Sequence, residues 1–439
     1  MNQATTFSPS SVGKTFTKYV SQNILGMLGI SAYILADTFF IARAEGADGI
    51  TALNLVLPLY SLIFAIGSMM ATGSATRFKI LRARGNKKAD SYFPNALLFA
   101  VIFGLFFVAL GVLVPSQIIR ILGGDAEITA IGTPYTRIFL LFAPFFMCNY
   151  ICNAFVRNDG NPSLAMTATL CSNFFNIVMD YVLMFPLGLG MAGAALATAI
   201  SPIVGICICT IHFLSPKSTI HFRLMLPSLR MLAQSCQLGI AAFVGEISSG
   251  ITTIVFNFLL LNLAGNTGVA AYGVIANIAI VATALFNGIA QGTQPLNSEF
   301  YGKGDSRSVR KVLRLSFATA LGIALLILLT ANMLAAPIVS LFNHEQDARM
   351  AAYAVTGMKL YFIGYLFAGF NIVGTGYLSA TAAAKWAFVT SISRGFAAIT
   401  ACAFLLASLL GITGVWLAFP AAELLTAVVM CFALKCNVK

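Results

Sequence analysis

Apolar positions in this chain fall in blocks. Runs of about twenty apolar residues recur from end to end, and each is long enough to cross a hydrocarbon core about 30 Å thick as a helix. They lie at about 19–42, 50–76, 92–114, 131–155, 161–185, 190–214, 231–262, 268–300, 312–335, 352–378, 386–408 and 411–434. The pattern predicts twelve transmembrane helices. The longest polar and basic interruption, SPKSTIHFRLMLPSLR at 215–230, separates the sixth helix from the seventh. It reads as a linker between two lobes, 1–214 and 231–439.

The two lobes share a pattern. Gly46, Ala52, Gly73 and Gly85 recur 219 residues later as Gly265, Ala271, Gly292 and Gly304. GMAGAALA, with Gly190, Gly193, Leu196 and Ala197, recurs as GITGVWLA, with Gly411, Gly414, Leu417 and Ala418, at an offset of 221. Six helices per copy is an even number, so the repeats are parallel. Parallel repeats about an axis along the membrane normal are a transporter signature, with the substrate site near mid-membrane between them. The expected fold is an all-α membrane protein with two pseudo-symmetric six-helix lobes.

Composition agrees. Of 439 residues, 59% are hydrophobic and 9% charged, and mean hydropathy is +0.89. Soluble domains carry roughly 25% charged residues, so a soluble enzyme is excluded. The net charge of +12 is unevenly spread: 21 of 26 Lys and Arg fall on one predicted side. These include Arg157, Arg223, Lys385, Arg394 and Lys439; only Arg43, Arg120, Arg137, Arg349 and Lys359 fall opposite. By the positive-inside rule both termini are expected in the cytoplasm. Without a water-soluble basic module, nucleic acid is not an expected partner. The nine cysteines show no metal-binding spacing, so neither disulfides nor a metal site is expected. The first run, Val20 to Ala42, is too long for a cleaved signal and contains Asp37.

Acidic residues inside helices carry the candidate chemistry. Six of fourteen sit in outer loops (Glu45, Asp48, Asp125, Glu127, Glu345, Asp347) and four on the basic side (Asp90, Asp159, Glu299, Asp305). Asp37, Asp180, Glu246 and Glu423 remain within helices. An Asp at a helix centre costs about 2.5–3.5 kcal/mol on insertion scales, so such residues face a partner or a wet cavity. Asn176 lies one turn from Asp180 on the same helical face, and Thr198 and Asp37 are expected at a similar depth. Two carboxylates, an amide and a hydroxyl in one layer can hold H⁺ or Na⁺; the plainer reading is helix capping and packing. Glu246 and Glu423 lie mid-helix with no basic residue in their own helices, and either could attract a cationic substrate. Packing is the favoured role for Glu423.

The 36 Phe, 15 Met and 13 Tyr supply soft apolar surface, but composition alone does not mark a pocket. No catalytic triad, phosphate loop or HExxH is present. Any pumping is therefore expected to draw on an ion gradient rather than on ATP hydrolysis in this chain.

ADTFFIAR (36–43), FVRNDGNPSLAM (155–166), NIVMDYVLMFPLG (176–188) and GVAAYGVIANI…GIAQGTQPL…YGKGD (268–305) are together a specific set. On these strings the chain resembles the multidrug and toxic compound extrusion (MATE) family, prokaryotic type, over essentially its whole length. The resemblance implies an antiporter, without a resident cofactor, that exports organic cations while H⁺ or Na⁺ enters. It places the N-lobe ion site on Asp37, Asn176, Asp180 and Thr198 and matches a helix 7 acid to Glu246. Two features depart from relatives: 352–378 has no Asp or Glu, and no proline lies between Pro9 and Pro58. Gly26 and Gly29 could allow bending of helix 1 instead. The expected protein is a monomeric multi-pass exporter of the cell inner (plasma) membrane, working by rocking of its lobes. A flippase for lipid-linked saccharides is the alternative, and it should carry several buried Arg or Lys. A channel or receptor is the second, and uphill transport would exclude it.

Overall fold

The computed structural model describes residues 9–221, 226–342 and 347–437. Arg223, Glu345 and Lys439 lie outside the described residues. Among the described residues the secondary structure is helical, without strands.

Among the described residues, twelve long helices carry the fold. In chain order they are α1 (Val12–Gly46), α2 (Asp48–Ala83), α3 (Lys87–Leu113), α4 (Ala126–Leu141 continued by Ala143–Asn158), α5 (Pro162–Met184) and α6 (Gly190–Leu214). Then follow α7 (229–264), α8 (266–303), α9 (Ser306–Met333), α10 (Ala348–Ala380), α11 (Ala384–Leu410) and α12 (Ile412–Asn437). Most match the predicted spans within a few residues. Three details were not predicted: α4 bends by 48° at Phe142, and short helices Pro115–Ile121 and Ala335–Phe342 follow α3 and α9.

The repeated glycines mark the same joints in both halves. Gly46 (φ 61°, ψ −146°) separates α1 from α2, and Gly265 (φ 63°, ψ −154°) separates α7 from α8. That backbone region is essentially open to glycine alone, so each pair turns sharply without a loop. Gly73 and Gly292 are close-approach sites. A Cβ on Gly73 would sit 1.8 Å from Ser235 O, and one on Gly292 would sit 2.9 Å from Tyr19 O. The first half of α7 thus packs against α2, and the first half of α1 against α8.

By contacts the chain forms two compact units, Leu25–Glu246 and Ile247–Lys439 with Met1–Ile24. These units divide α1 and α7 part-way along their length, whereas lobes cut at the linker keep both helices whole. The aromatic core of the first unit runs through Tyr60, Phe139, Phe146 and Phe155, all buried.

Loop acids begin several helices. Asp125 accepts from Ile128 N (2.9 Å), Asp305 from Ser308 N (3.0 Å), and Asp347 from Arg349 N and Met350 N. Such caps satisfy otherwise orphaned amides of the first turn.

Asp159, between α4 and α5, anchors the start of the linker. It accepts from His212 Nε2 (2.8 Å), Thr219 N (2.9 Å) and Ser218 Oγ (3.3 Å), and also from the Thr219 hydroxyl. Burial alone would push this carboxyl up, but the hydrogen bonds from His212 and Thr219 outweigh it and hold it below the ordinary range. A depressed folded value stabilises above the unfolded carboxylate value, about 3.9, and that stability is lost as pH falls through the folded value. Asp159→Asn should therefore lower the melting temperature at neutral pH, and should flatten acid destabilisation below about pH 4. Thermal melts across pH check this.

Candidate functional site

Helix α5 buries one stripe, Ala165, Ala168, Ser172, Asn176, Asp180 and Leu183. The spacing of three or four residues keeps them on one face. Small residues at its start let α6 approach closely, as Ala194, Ala195 and Ala197 do on the facing side. Polar groups then meet across the seam. Ser172 Oγ donates to Ser201 O (2.6 Å), and the Asn176 amide lies 3.2 Å from Thr198 Oγ1. The amide orientation that satisfies every neighbour donates from Asn176 to Asp180 Oδ2 (3.2 Å) and accepts from Thr198 Oγ1. Pro202 has no N–H to offer the Thr198 carbonyl one turn back. Ser201 Oγ donates to that carbonyl instead (3.1 Å).

Asp37 comes from α1. It is 9% exposed and Asp180 is fully buried, and the two carboxylates act on each other electrostatically. Each keeps one buried oxygen, Oδ1, with no hydrogen-bond partner among the described residues. Two orphaned carboxylate oxygens in one buried layer are anomalous for a finished packing interaction. The donor set is all oxygen and amide, which suits a proton or a hard cation. Among the described residues no group of three or more His, Cys, Asp or Glu is placed to hold a metal ion.

The structure thus joins Asn176, Asp180 and Thr198 by hydrogen bonds and brings Asp37 into their field. Glu246 is half-buried on α7. It shares a neighbour with this cluster: Tyr33 feels Asp37, Asp180 and Glu246 alike. Tyr150 also lies within reach of Glu246.

Tyrosines were missed by sequence reasoning. The Tyr60 and Tyr135 hydroxyls hydrogen-bond each other, and both lie in the field of Asp37. Tyr60 stacks on Phe139 with ring centroids 3.5 Å apart. Only Tyr33, one turn from Asp37 on α1, had a readable signal in its spacing.

Arg394 requires a correction. It was grouped with the cytoplasmic basic residues, but it lies inside α11, at a π-helical turn over Ser393–Ala397. Its Nε donates to Glu423 Oε1 (2.6 Å), while Asn371 Nδ2 donates to Glu423 Oε2 (2.7 Å) and to Glu423 O (2.8 Å). Glu423 is 1% exposed. Its basic partner comes from a neighbouring helix, which a search within α12 could not find. A cation-attracting role for Glu423 is thereby disfavoured and the packing role supported.

Comparison with known proteins gives one consistent answer. The MatE family model matches residues 23–182 and 241–404. The Multidrug export protein MepA of Staphylococcus aureus is 28% identical over 431 residues, covering 96% of this chain and 93% of its own. Among solved structures, an outward-facing MATE family transporter of the MOP superfamily has a TM-score of 0.91 at 20% identity, covering 97% of this chain and 96% of its own. A MOP superfamily transporter from Pyrococcus furiosus has a TM-score of 0.90 at 19% identity, covering 97% and 96%.

Removing one partner of a buried ion pair costs about 3–5 kcal/mol, so Glu423→Ala should markedly lower the melting temperature in detergent. Thr198→Val removes one hydrogen bond and should cost about 1 kcal/mol. Equal melting temperatures for wild type and Glu423→Ala would contradict the pairing.

Proposed function

The chain belongs to the MatE family, and from that membership we propose that it is a multidrug exporter driven by inward movement of H⁺ or Na⁺. It is not an enzyme, and it spans the membrane many times. The observation that carries the coupling proposal is the pair of orphaned oxygens on Asp37 and Asp180 in one buried layer. Two carboxylates in a poorly solvated site resist double ionisation. One bound ion therefore holds the pair at a single negative charge, and its release leaves a second negative charge there. That change favours whichever packing of α1, α5 and α6 best solvates the charge, which is how a bound ion biases alternating access. Asn176 and Thr198 orient Asp180, and neither contributes charge.

Amphipathic organic cations are the proposed substrates, with Glu246 as counter-charge and lobes 1–214 and 231–439 as the moving bodies around the 215–230 linker. The glycine contacts at Gly73 and Gly292 would separate and re-form in each cycle. A monomer in the plasma membrane with cytoplasmic termini is the proposed setting. A lipid-linked saccharide flippase is less well supported, because holding a pyrophosphate calls for several buried Arg or Lys, and among the described residues Arg157 is the one Arg or Lys that is buried.

Asp37→Asn and Asp180→Asn each remove one of the two carboxylate charges and so fix the layer in the charge state of its ion-bound form. Each should express and still bind dye, yet lose gradient-driven efflux from cells by tenfold or more, on the order of one unit of charge interaction. Asn176→Ala should lose less. Wild-type efflux by both Asp variants would move coupling away from this layer. Glu246→Gln should weaken binding of cationic dyes more than neutral ones, because the Coulomb attraction acts only on the charged ligand; equal losses would point to packing. Cys436 is exposed, so an impermeant thiol reagent should reach it in inverted vesicles. Labelling in intact cells would reverse the orientation.

A further inference from the structure

The second unit holds a charged group that coupling does not use. Arg394 sits on the inward face of α11, among buried Thr390, Ser391, Gly395 and Ala398. Gly395 lets α7 approach there, since a Cβ would lie 1.7 Å from Ser248 Oγ. The π-helical turn at this point is of a kind found frequently at functional sites.

Glu423 engages one edge of the guanidinium only, through Nε at 2.6 Å. Asn371 holds the other carboxylate oxygen at 2.7 Å, so Glu423 is pinned from both sides. Among the described residues Arg394 makes no other hydrogen bond, and its side chain is 27% exposed while that of Glu423 is 2% exposed. The terminal Nη fork, with four N–H donors, is therefore fixed in place and accessible. A guanidinium fork in that state matches a carboxylate bidentately. Tyr361 and Tyr365 lie within electrostatic reach of Arg394, and Tyr361 stacks on Phe419 with centroids 4.3 Å apart and planes at 8°.

We infer that the Arg394 fork, held by Glu423 and Asn371, is a recognition site for the carboxylate of an amphipathic substrate. Glu423 keeps the pair formally neutral, so recognition is by directed hydrogen bonds rather than by net charge. This inference rests on the exporter reading above.

The test uses one xanthene dye in two forms, the free carboxylate (a zwitterion) and its methyl ester (a cation). Binding of each is measured on purified wild type, Arg394→Lys and the neutral pair Arg394→Gln with Glu423→Gln. Loss of a charge-assisted, bidentate contact should raise the ratio of acid Kd to ester Kd about ten- to hundredfold in the double variant. Arg394→Lys, with charge but no fork, should fall between. An unchanged ratio in both variants would overturn the inference. Should either variant fail to fold, wild-type protein decides: a fatty carboxylate should displace the bound acid dye at lower concentration than the alcohol of equal chain length. Equal potency would overturn it. Failure of wild type to export either dye form from cells would instead count against the exporter reading.

Discussion

A carboxylate inside a hydrocarbon slab has no water to turn to, so its partners must be supplied by the protein. The interior of this molecule is arranged around that requirement, and its two halves meet it differently. Glu423 is answered completely, by a guanidinium on one oxygen and an amide on the other. Such an arrangement is a fixed structural element: removing one partner strands the other. Asp37 and Asp180 are answered in part, by Asn176 and by helix burial, and each keeps an oxygen without a partner. An incomplete answer is one that an ion can complete. The halves therefore differ: the second holds a fully partnered pair, and the first holds the incompletely partnered carboxylates on which the coupling proposal rests.

Backbone constraints set where these groups can meet. Small residues along α5 and α6 bring Asn176 within 3.2 Å of Thr198, and Pro202 disrupts the local ladder beside it. The same economy appears at Gly46 and Gly265, where a glycine-only conformation joins two helices with no loop at all. These glycines recur at one sequence offset because each half needs the same joints.

Much of this was legible in the sequence, for physical reasons. Helix positions follow from apolar run length, and the repeat shows in glycines because no other residue fits Gly46 or Gly73. Asn176 and Asp180 share a face by helical spacing alone. What could not be read is what crosses between helices. Arg394 looked like a cytoplasmic residue because a basic side chain inside a span is rare, and its partner lies 29 positions away on α12. The Tyr60–Tyr135 contact joins residues 75 apart and leaves no local trace. The bend at Phe142, by contrast, left a local trace that went unread: Pro144 sits in the first turn of the second segment, where it cannot continue the helical hydrogen bonding.

The central claim is that movement of an organic cation and movement of H⁺ or Na⁺ are one event. The most direct measurement loads proteoliposomes with trapped pH and Na⁺ indicators and imposes a gradient of the organic cation alone. Coupled exchange predicts that one of the two ions moves opposite to the substrate, at a fixed ratio to it. Substrate crossing while both indicators stay flat would contradict the account.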